Sequence, residues 1–334
     1  MMKAFIVKRY SKVEKLQLVE LPIPAVKDNE VLVQIYAASI NQIDIKLKSG
    51  EFKLILPYKF PLILGHDLAG IVTKIGSNVR RFKVGDEIFA QPAIYKIGSL
   101  AEYIAINETD VALKPKNISM EEAASIPLVG LTSWQALIEK ANLKKGQKVF
   151  IQAGSGGVGT FAIQLAKHLG ATVATTTSAT NIGLVKSLGA DIVIDYKKDD
   201  FETMLRDYDV VLNSQDTKTL DKSLRILKPN GKIISISGPP DTDFADQIGS
   251  PWFIKLIMKI LSSGAKKKAK RLGVDYSFLF MRADGNQLTE IALLINAGII
   301  KPVMDKVFPF EQTNDALAYV ETGRSKGKVV VKLK

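Results

Sequence analysis

A chain of 334 residues with 46% hydrophobic and 24% charged residues carries enough apolar material for about two globular cores. Its net charge of +12 suits phosphate-bearing ligands, nucleic acid or an anionic membrane, although a solvated lysine-rich surface produces the same total. With no cysteine and only two histidines, His66 and His168, disulfides, iron–sulfur clusters and thiolate zinc sites are excluded.

The amino-terminal run MMKAFIVKRYSKVEKL is broken by charges too early for a signal peptide, and no stretch approaches the ~18 apolar residues of a membrane span. A cytoplasmic location is therefore expected. The first third reads as β-rich: Lys3–Tyr10, Val31–Ala37, Gly70–Ile75, Glu87–Ala90 and Ala101–Ile106 are short runs of Val, Ile, Tyr and Phe. Glycine, proline, asparagine and aspartate punctuate them, which predicts a small barrel or sandwich. Ser119 followed by Glu122 predicts a capping box, and a helical pattern then runs through Ser133–Ala141.

From Val149 onward strands and helices alternate. Val149–Gln152, Thr172–Thr176, Ile192–Ile194, Asp209–Asn213 and Lys232–Ile236 read as buried strands, with Tyr276–Met281 as a sixth. Thr160–Leu169, Asn181–Leu188 and Thr217–Leu227 read as the helices between them, and Leu227–Gly231 as a helix stop and turn. Such alternation predicts an α/β unit with a doubly wound parallel sheet. A helix at Asn286–Ala297 follows. The tail returns to strand character at Val307–Phe310 and Lys328–Leu333, around a helix at Thr313–Val320, and is expected to rejoin the first domain.

The least regular stretch runs from Pro239 to Asp275. Trp252–Leu261 is apolar with two lysines, and Lys266–Arg271 is basic. We read it as an insertion helix packed on the second domain or on a second subunit, with its lysines in solvent. The competing reading is an amphipathic segment on a membrane surface.

The most informative segment is Gly154-Ser155-Gly156-Gly157-Val158-Gly159. It follows a short apolar run and opens an apolar-periodic stretch, the strand–turn–helix setting that a dinucleotide pyrophosphate requires. No Asp or Glu occurs between Glu139 and Asp191. The acid that would hold the ribose 2′-hydroxyl of NAD is therefore missing, and the second strand ends instead in Thr177, Ser178, Thr180 and Asn181. Hydroxyls and an amide can donate to a 2′-phosphate, so NADP(H) is the expected cofactor.

Several further segments, taken jointly, resemble the medium-chain dehydrogenase/reductase superfamily, in its zinc-independent quinone oxidoreductase and alkenal/enone reductase branch. They are Ala38–Asp44, Pro61–Gly70, Phe82–Glu87, Gly98–Tyr103, Ala123–Pro127, Gly130–Thr132, Leu188–Asp191 and Gly327–Val330. The resemblance covers nearly the whole chain. It implies a discontinuous GroES-like β-rich catalytic domain (1–122 and 299–334) and a Rossmann domain (123–298). The alcohol-dehydrogenase branch holds catalytic zinc at positions matching Asn41, His66 and Leu128; only the histidine remains, so no metal is expected. His66 is expected to be a structural histidine oriented by Asp44.

The resemblance also implies site residues. Asn41 should lie beside the nicotinamide ribose and the substrate carbonyl, and Thr132 should hold the nicotinamide end. Gly238 should leave room for the ring, with Leu279, Phe280 and Met281 along its other side. Tyr196 is implied as an adenine neighbour and Arg324 as a phosphate partner, with Lys186 a substitute for a lysine that relatives carry near Thr180. Tyr58 and Tyr95 are weak acid candidates or plain interface aromatics. The expected reaction is hydride transfer to a quinone or to the β-carbon of an α,β-unsaturated carbonyl. A zinc-independent enoyl-thioester reductase and a non-catalytic NADPH sensor or nucleic-acid binder are the alternatives, although no RNA motif or recognition-helix pattern is present. A homodimer is expected, as in relatives.

Overall fold

The computed structural model describes residues 1–334, which divide into two compact units: Met1–Leu131 with Arg282–Lys334, and Thr132–Met281. The first unit is organised by the strand Glu30–Ile40, whose Val31, Val33, Ile35 and Ala37 are fully buried. It pairs antiparallel with Asp67–Ile75, with Tyr103–Asn107 and with the carboxy-terminal strand Lys328–Lys332. Val331 lies opposite Ala38 and Val329 opposite Ile40, so the chain's tail does return to its first domain. Glu87–Ala90, Val111–Leu113 and Met304–Pro309 complete this seven-stranded sheet.

The second unit is a six-stranded parallel sheet in the order Ile192–Asp195, Thr172–Thr177, Lys148–Ile151, Tyr208–Asn213, Leu227–Ser235, Asp275–Phe278. The order reverses between Lys148–Ile151 and Tyr208–Asn213, and the crevice beyond the carboxyl ends of strands at such a switch point is where open α/β sheets bind ligands. Both faces are covered by helices, which is why Val149, Phe150, Ile151, Val173 and Val211 are all buried.

The two-unit α/β architecture follows the expectation, while some boundaries differ. Residues 123–131 and 282–298 group with the first unit rather than with the Rossmann sheet. The cause is local: Lys116 N–H donates to Asn296 at 2.9 Å and Asn117 to the Ile295 carbonyl at 2.9 Å, which ties the helix Gly285–Asn296 to the β-rich unit. The helix expected over Ser133–Ala141 is an α-helix, Pro127–Trp134, that continues into a π-helix, Gln135–Lys140. Leu227–Gly231 opens a strand instead of forming a separate turn. Leu227 pairs with Tyr208 across a register shift, and Asn230, at φ +63°, absorbs the irregularity. The capping box forms as predicted, with Glu122 N–H on Ser119 Oγ at 3.1 Å and Ser119 N–H on Glu122 at 2.8 Å.

Asp191 clamps the sheet to its first helix, accepting from Lys167 at 2.9 Å and from Val173 N–H at 2.7 Å. Partial burial alone would raise its pKa, but the Val173 amide and the Lys167 ammonium hold it below the usual carboxylate range. A depressed folded pKa stabilises the fold above the unfolded value of about 4 and ceases to do so as pH falls through the folded value. Thermal melts of the wild type should therefore lose more stability on acidification below about pH 4 than melts of Asp191→Asn, which lacks this titration.

Candidate active site

In the parallel-sheet unit the strand Lys148–Ile151 runs into the glycine turn, and the helix Gly157–His168 leaves it. Backbone crowding dictates the glycines here. A Cβ on Gly154 would sit 2.2 Å from Thr175 Oγ1, and one on Gly159 would sit 2.4 Å from the Ala153 carbonyl oxygen. The helix N-cap is Gly156, with no side chain satisfying the first amides. Those N–H groups and the positive end of a 12-residue helix form a cradle for an anion.

Beside the turn lies a hydroxyl and amide cluster. Thr177 Oγ1 donates to Ser155 Oγ at 2.9 Å, and Asn181 Nδ2 reaches Ser155 Oγ at 3.2 Å and Ser178 Oγ at 3.3 Å. Asn181 Oδ1 is buried without a partner. A buried acceptor left unpaired is costly, and a ribose hydroxyl would satisfy it. The acid in register with Thr177, Asp195, is buried and accepts Lys197 N–H at 3.2 Å. Tyr196 donates its N–H to the Thr177 carbonyl at 3.2 Å and leaves its ring 60% exposed, open to stack on a base. Lys186 is exposed on the helix Ile182–Ser187. An anion cradle crowded by glycines and an orphaned acceptor three residues past the Thr175–Ser178 hydroxyl run together fit a phosphorylated dinucleotide.

At the carboxyl ends of the fourth and fifth strands, Ser235 Oγ accepts from Asn213 Nδ2 at 2.8 Å and from Gly238 N–H at 2.8 Å. The Ser235 carbonyl accepts Leu279 N–H at 2.8 Å. Gly238 and Leu279 are thus brought together through a serine that the sequence reading did not single out. A Cβ on Gly238 would meet the Tyr276 hydroxyl at 2.7 Å, so the glycine is demanded by packing within this unit. Leu279 is buried, and Phe280 stacks on Phe244 with ring centroids 4.7 Å apart, while Met281 is half-buried. Asn213 Oδ1, fully buried, has no partner. Thr132 is the buried first residue of this unit.

In the β-rich unit Asn41 sits in a buried charged network. Asp67 Oδ2 accepts from Ser39 at 2.7 Å, from Asn41 Nδ2 at 2.8 Å and from Lys328 Nζ at 3.1 Å, and Asp67 Oδ1 takes Leu128 N–H at 2.6 Å. Lys328 also donates to Asn41 Oδ1 and, at 3.3 Å, to the Ile40 carbonyl. Asp67 is 0% and Lys328 5% exposed, so the pair is desolvated and held by matching donors. Next to it Asp44 accepts His66 Nδ1–H at 2.7 Å, Asn41 N–H at 2.8 Å and Gly65 N–H at 3.1 Å.

This arrangement does not fit zinc. Asn41 Oδ1 is taken by Lys328 and Asp67 by its protein donors, Leu128 has no donor side chain, and nowhere do three His, Asp or Glu side chains cluster to hold a metal ion. Only His66 Nε2, buried and unpartnered, could face an ion, and one nitrogen is too few. The expected pairing of Asp44 with His66 is present.

Tyr58 shares no hydrogen bond with the Asn41 network. Its hydroxyl donates to the Ile94 carbonyl, and burial pushes its pKa far up, with Tyr95 and Asp44 adding to the rise. That proton is committed, which opposes a role as general acid. Tyr95 is exposed, 6.0 Å from the Tyr58 ring. Arg324 is exposed on the turn after the helix Thr313–Glu321. Lys328 was legible only as part of the Gly327–Val330 motif.

Residues 27–116 match the alcohol dehydrogenase GroES-like domain and residues 188–331 match a zinc-binding dehydrogenase family. The chain is similar to the mitochondrial NAD(P)H oxidoreductase RTN4IP1 of Danio rerio, at 35% identity over 99% of this chain and 91% of the relative. It is equally similar to the chloroplastic NADPH-dependent alkenal/one oxidoreductase of Arabidopsis thaliana, at 35% identity over 99% of this chain and 79% of that protein. The quinone oxidoreductase of Coxiella burnetii superposes with a TM-score of 0.85 at 30% identity, covering 100% of this chain and 99% of the other. The mitochondrial and chloroplastic names of these relatives correct the cytoplasmic expectation, which rested on the absence of a readable amino-terminal signal.

Proposed function

We infer that this chain, which belongs to the zinc-independent quinone oxidoreductase and alkenal/enone reductase branch of the medium-chain dehydrogenase/reductase superfamily, reduces quinones or α,β-unsaturated carbonyls with NADPH. The observation that carries this reading is the buried Asn41–Asp67–Lys328 network. Asn41, at one position where the alcohol-oxidising branch has a zinc ligand, is tied into it, and Leu128, at another, donates its N–H to Asp67, in a chain that keeps the dinucleotide turn.

Bound NADPH would supply the hydride for an acceptor carbon that is already electrophilic. The chain's own part is to hold, orient and stabilise charge. The amides after Gly156 take the pyrophosphate. Ser155, Thr177, Ser178 and Lys186 serve the 2′-phosphate, Asn181 Oδ1 accepts a ribose hydroxyl, and Tyr196 stacks on the adenine. Thr132, Gly238, Leu279, Phe280 and Met281 border the nicotinamide.

Asn41 is the group best suited to the developing oxyanion. One Nδ2–H is spent on Asp67, which leaves the second to donate to a substrate oxygen. Lys328 on Oδ1 polarises the amide and makes that N–H a stronger donor. With Tyr58 committed to Ile94, the proton that completes the product comes from solvent. For the assembly, we propose a homodimer joined at the strand Asp275–Phe278, the outermost of its sheet.

Incubation with C4-deuterated NADPH and a short enone tests the reading. The saturated ketone should carry deuterium on its former β-carbon, and a quinone should become the hydroquinone. Deuterium lost to solvent, or no consumption of either acceptor, would sink the assignment.

A further inference from the structure

We propose that the outer face of the helix Trp252–Arg271 docks on an anionic lipid surface. Trp252, Phe253, Leu256, Ile257, Ile260 and Leu261 recur at the one- and four-residue steps that place them on one helical face. Their exposures are 78%, 49%, 49%, 49%, 64% and 52%, so six large apolar side chains within one ten-residue span stand in water. An apolar stripe of this size, unlike scattered exposed residues, marks an interaction site.

The stripe belongs to an ordered helix. On the opposite side Met258, Ser262, Ala265 and Ala269 are buried, and the helix packs on Thr242–Gln247, Thr217–Arg225 and Asp275–Phe278 of its own unit. Its inward contacts are therefore already made, and the stripe is left over.

Charge selects the occupant. The helix carries Lys255, Lys259, Lys266, Lys267, Lys268, Lys270 and Arg271 and no carboxylate. Lys255, Lys266 and Lys268 are paired with Asp246, Asp241 and Asp221 of neighbouring segments. Lys259, Lys267, Lys270 and Arg271 form no ion pair, and three of these four stand at the end of the helix away from the apolar stripe. An apolar half that can enter the acyl boundary, continued by a cationic half at headgroup level, is the pattern of an interfacial helix. The helix is not long and apolar enough to cross a bilayer. A second copy is the weaker fit, since a twofold contact on the stripe would cover its apolar residues but leave the cationic end of the helix, which has no carboxylate of its own, without a counter-charge.

Co-sedimentation with vesicles decides the matter. The full chain should pellet with phosphatidylglycerol-containing vesicles about tenfold more than with pure phosphatidylcholine vesicles, and salt should weaken the binding. The double variants Ile257→Glu/Ile260→Glu and Lys267→Glu/Lys270→Glu should each lose it, with NADPH binding and gel-filtration volume unchanged. Val84→Glu, at an equally exposed apolar residue of the other unit, should keep it. Equal binding to both vesicle types, or binding to neither, would overturn the proposal. So would a shift to a smaller species on Ile257→Glu/Ile260→Glu, which would assign the stripe to a second copy.

Discussion

Lys328→Met should destabilise the β-rich unit by roughly 3–5 kcal/mol, the cost of leaving one member of a buried ion pair unanswered. Asp67 would remain, 0% exposed, with Ser39, Asn41 and Leu128 N–H as donors and no cation. Activity should fall beyond what folding explains, because Asn41 Oδ1 loses its partner and the amide is free to turn. The discriminating measurement is a double-mutant cycle in denaturant. Asp67→Asn/Lys328→Met removes both charges and should be less destabilised than Lys328→Met alone. A double variant that shows the simple sum of the single losses would mean that the two groups do not act as a pair.

Ser178→Asp should lower kcat/KM for NADPH by roughly 100-fold while NADH loses little, because a carboxylate against the 2′-phosphate costs several kcal/mol and the same carboxylate can accept a ribose hydroxyl. Ser178 is half-buried at the end of Thr172–Thr177, within the cluster of Ser155, Thr177 and Asn181. The substitution therefore changes charge at the surface of the cluster without entering the core. Parallel assays with the two cofactors, on wild type and variant, give the ratio directly. An unchanged ratio would place the 2′-phosphate elsewhere.

These two sites differ in how much of them the sequence exposes. The glycine turn is readable because steric exclusion acts over a few residues: Gly159 must be small since Ala153 is close in chain and in space. The acid-free second strand is readable for the same reason, since the choice of cofactor sits within about 25 residues of the turn. Lys328 behaves differently. Its partners lie 287 and 261 positions away, and only the pairing of Glu30–Ile40 with Lys328–Lys332 on one side and with Asp67–Ile75 on the other brings them together. A lysine opening a Val-Val-Val strand reads as an ordinary strand end until that register is known. The helix Trp252–Arg271 shows a third case. Its apolar and basic content is plain in the sequence, but which face stays in water depends on what the neighbouring helices and the edge strand leave uncovered. Tyr58 looked like an available hydroxyl because no local pattern announces the Ile94 carbonyl that takes its proton.

The most direct test of metal-free, NADPH-linked reduction is the rate of NADPH oxidation with a quinone and with a short enone, measured with and without a strong chelator and with NADH in parallel. The Asn41–Asp67–Lys328 network predicts turnover that the chelator leaves unchanged, and the Ser155–Thr177–Ser178 cluster predicts a slower rate with NADH. Activity abolished by the chelator, or no turnover with either acceptor, would contradict it.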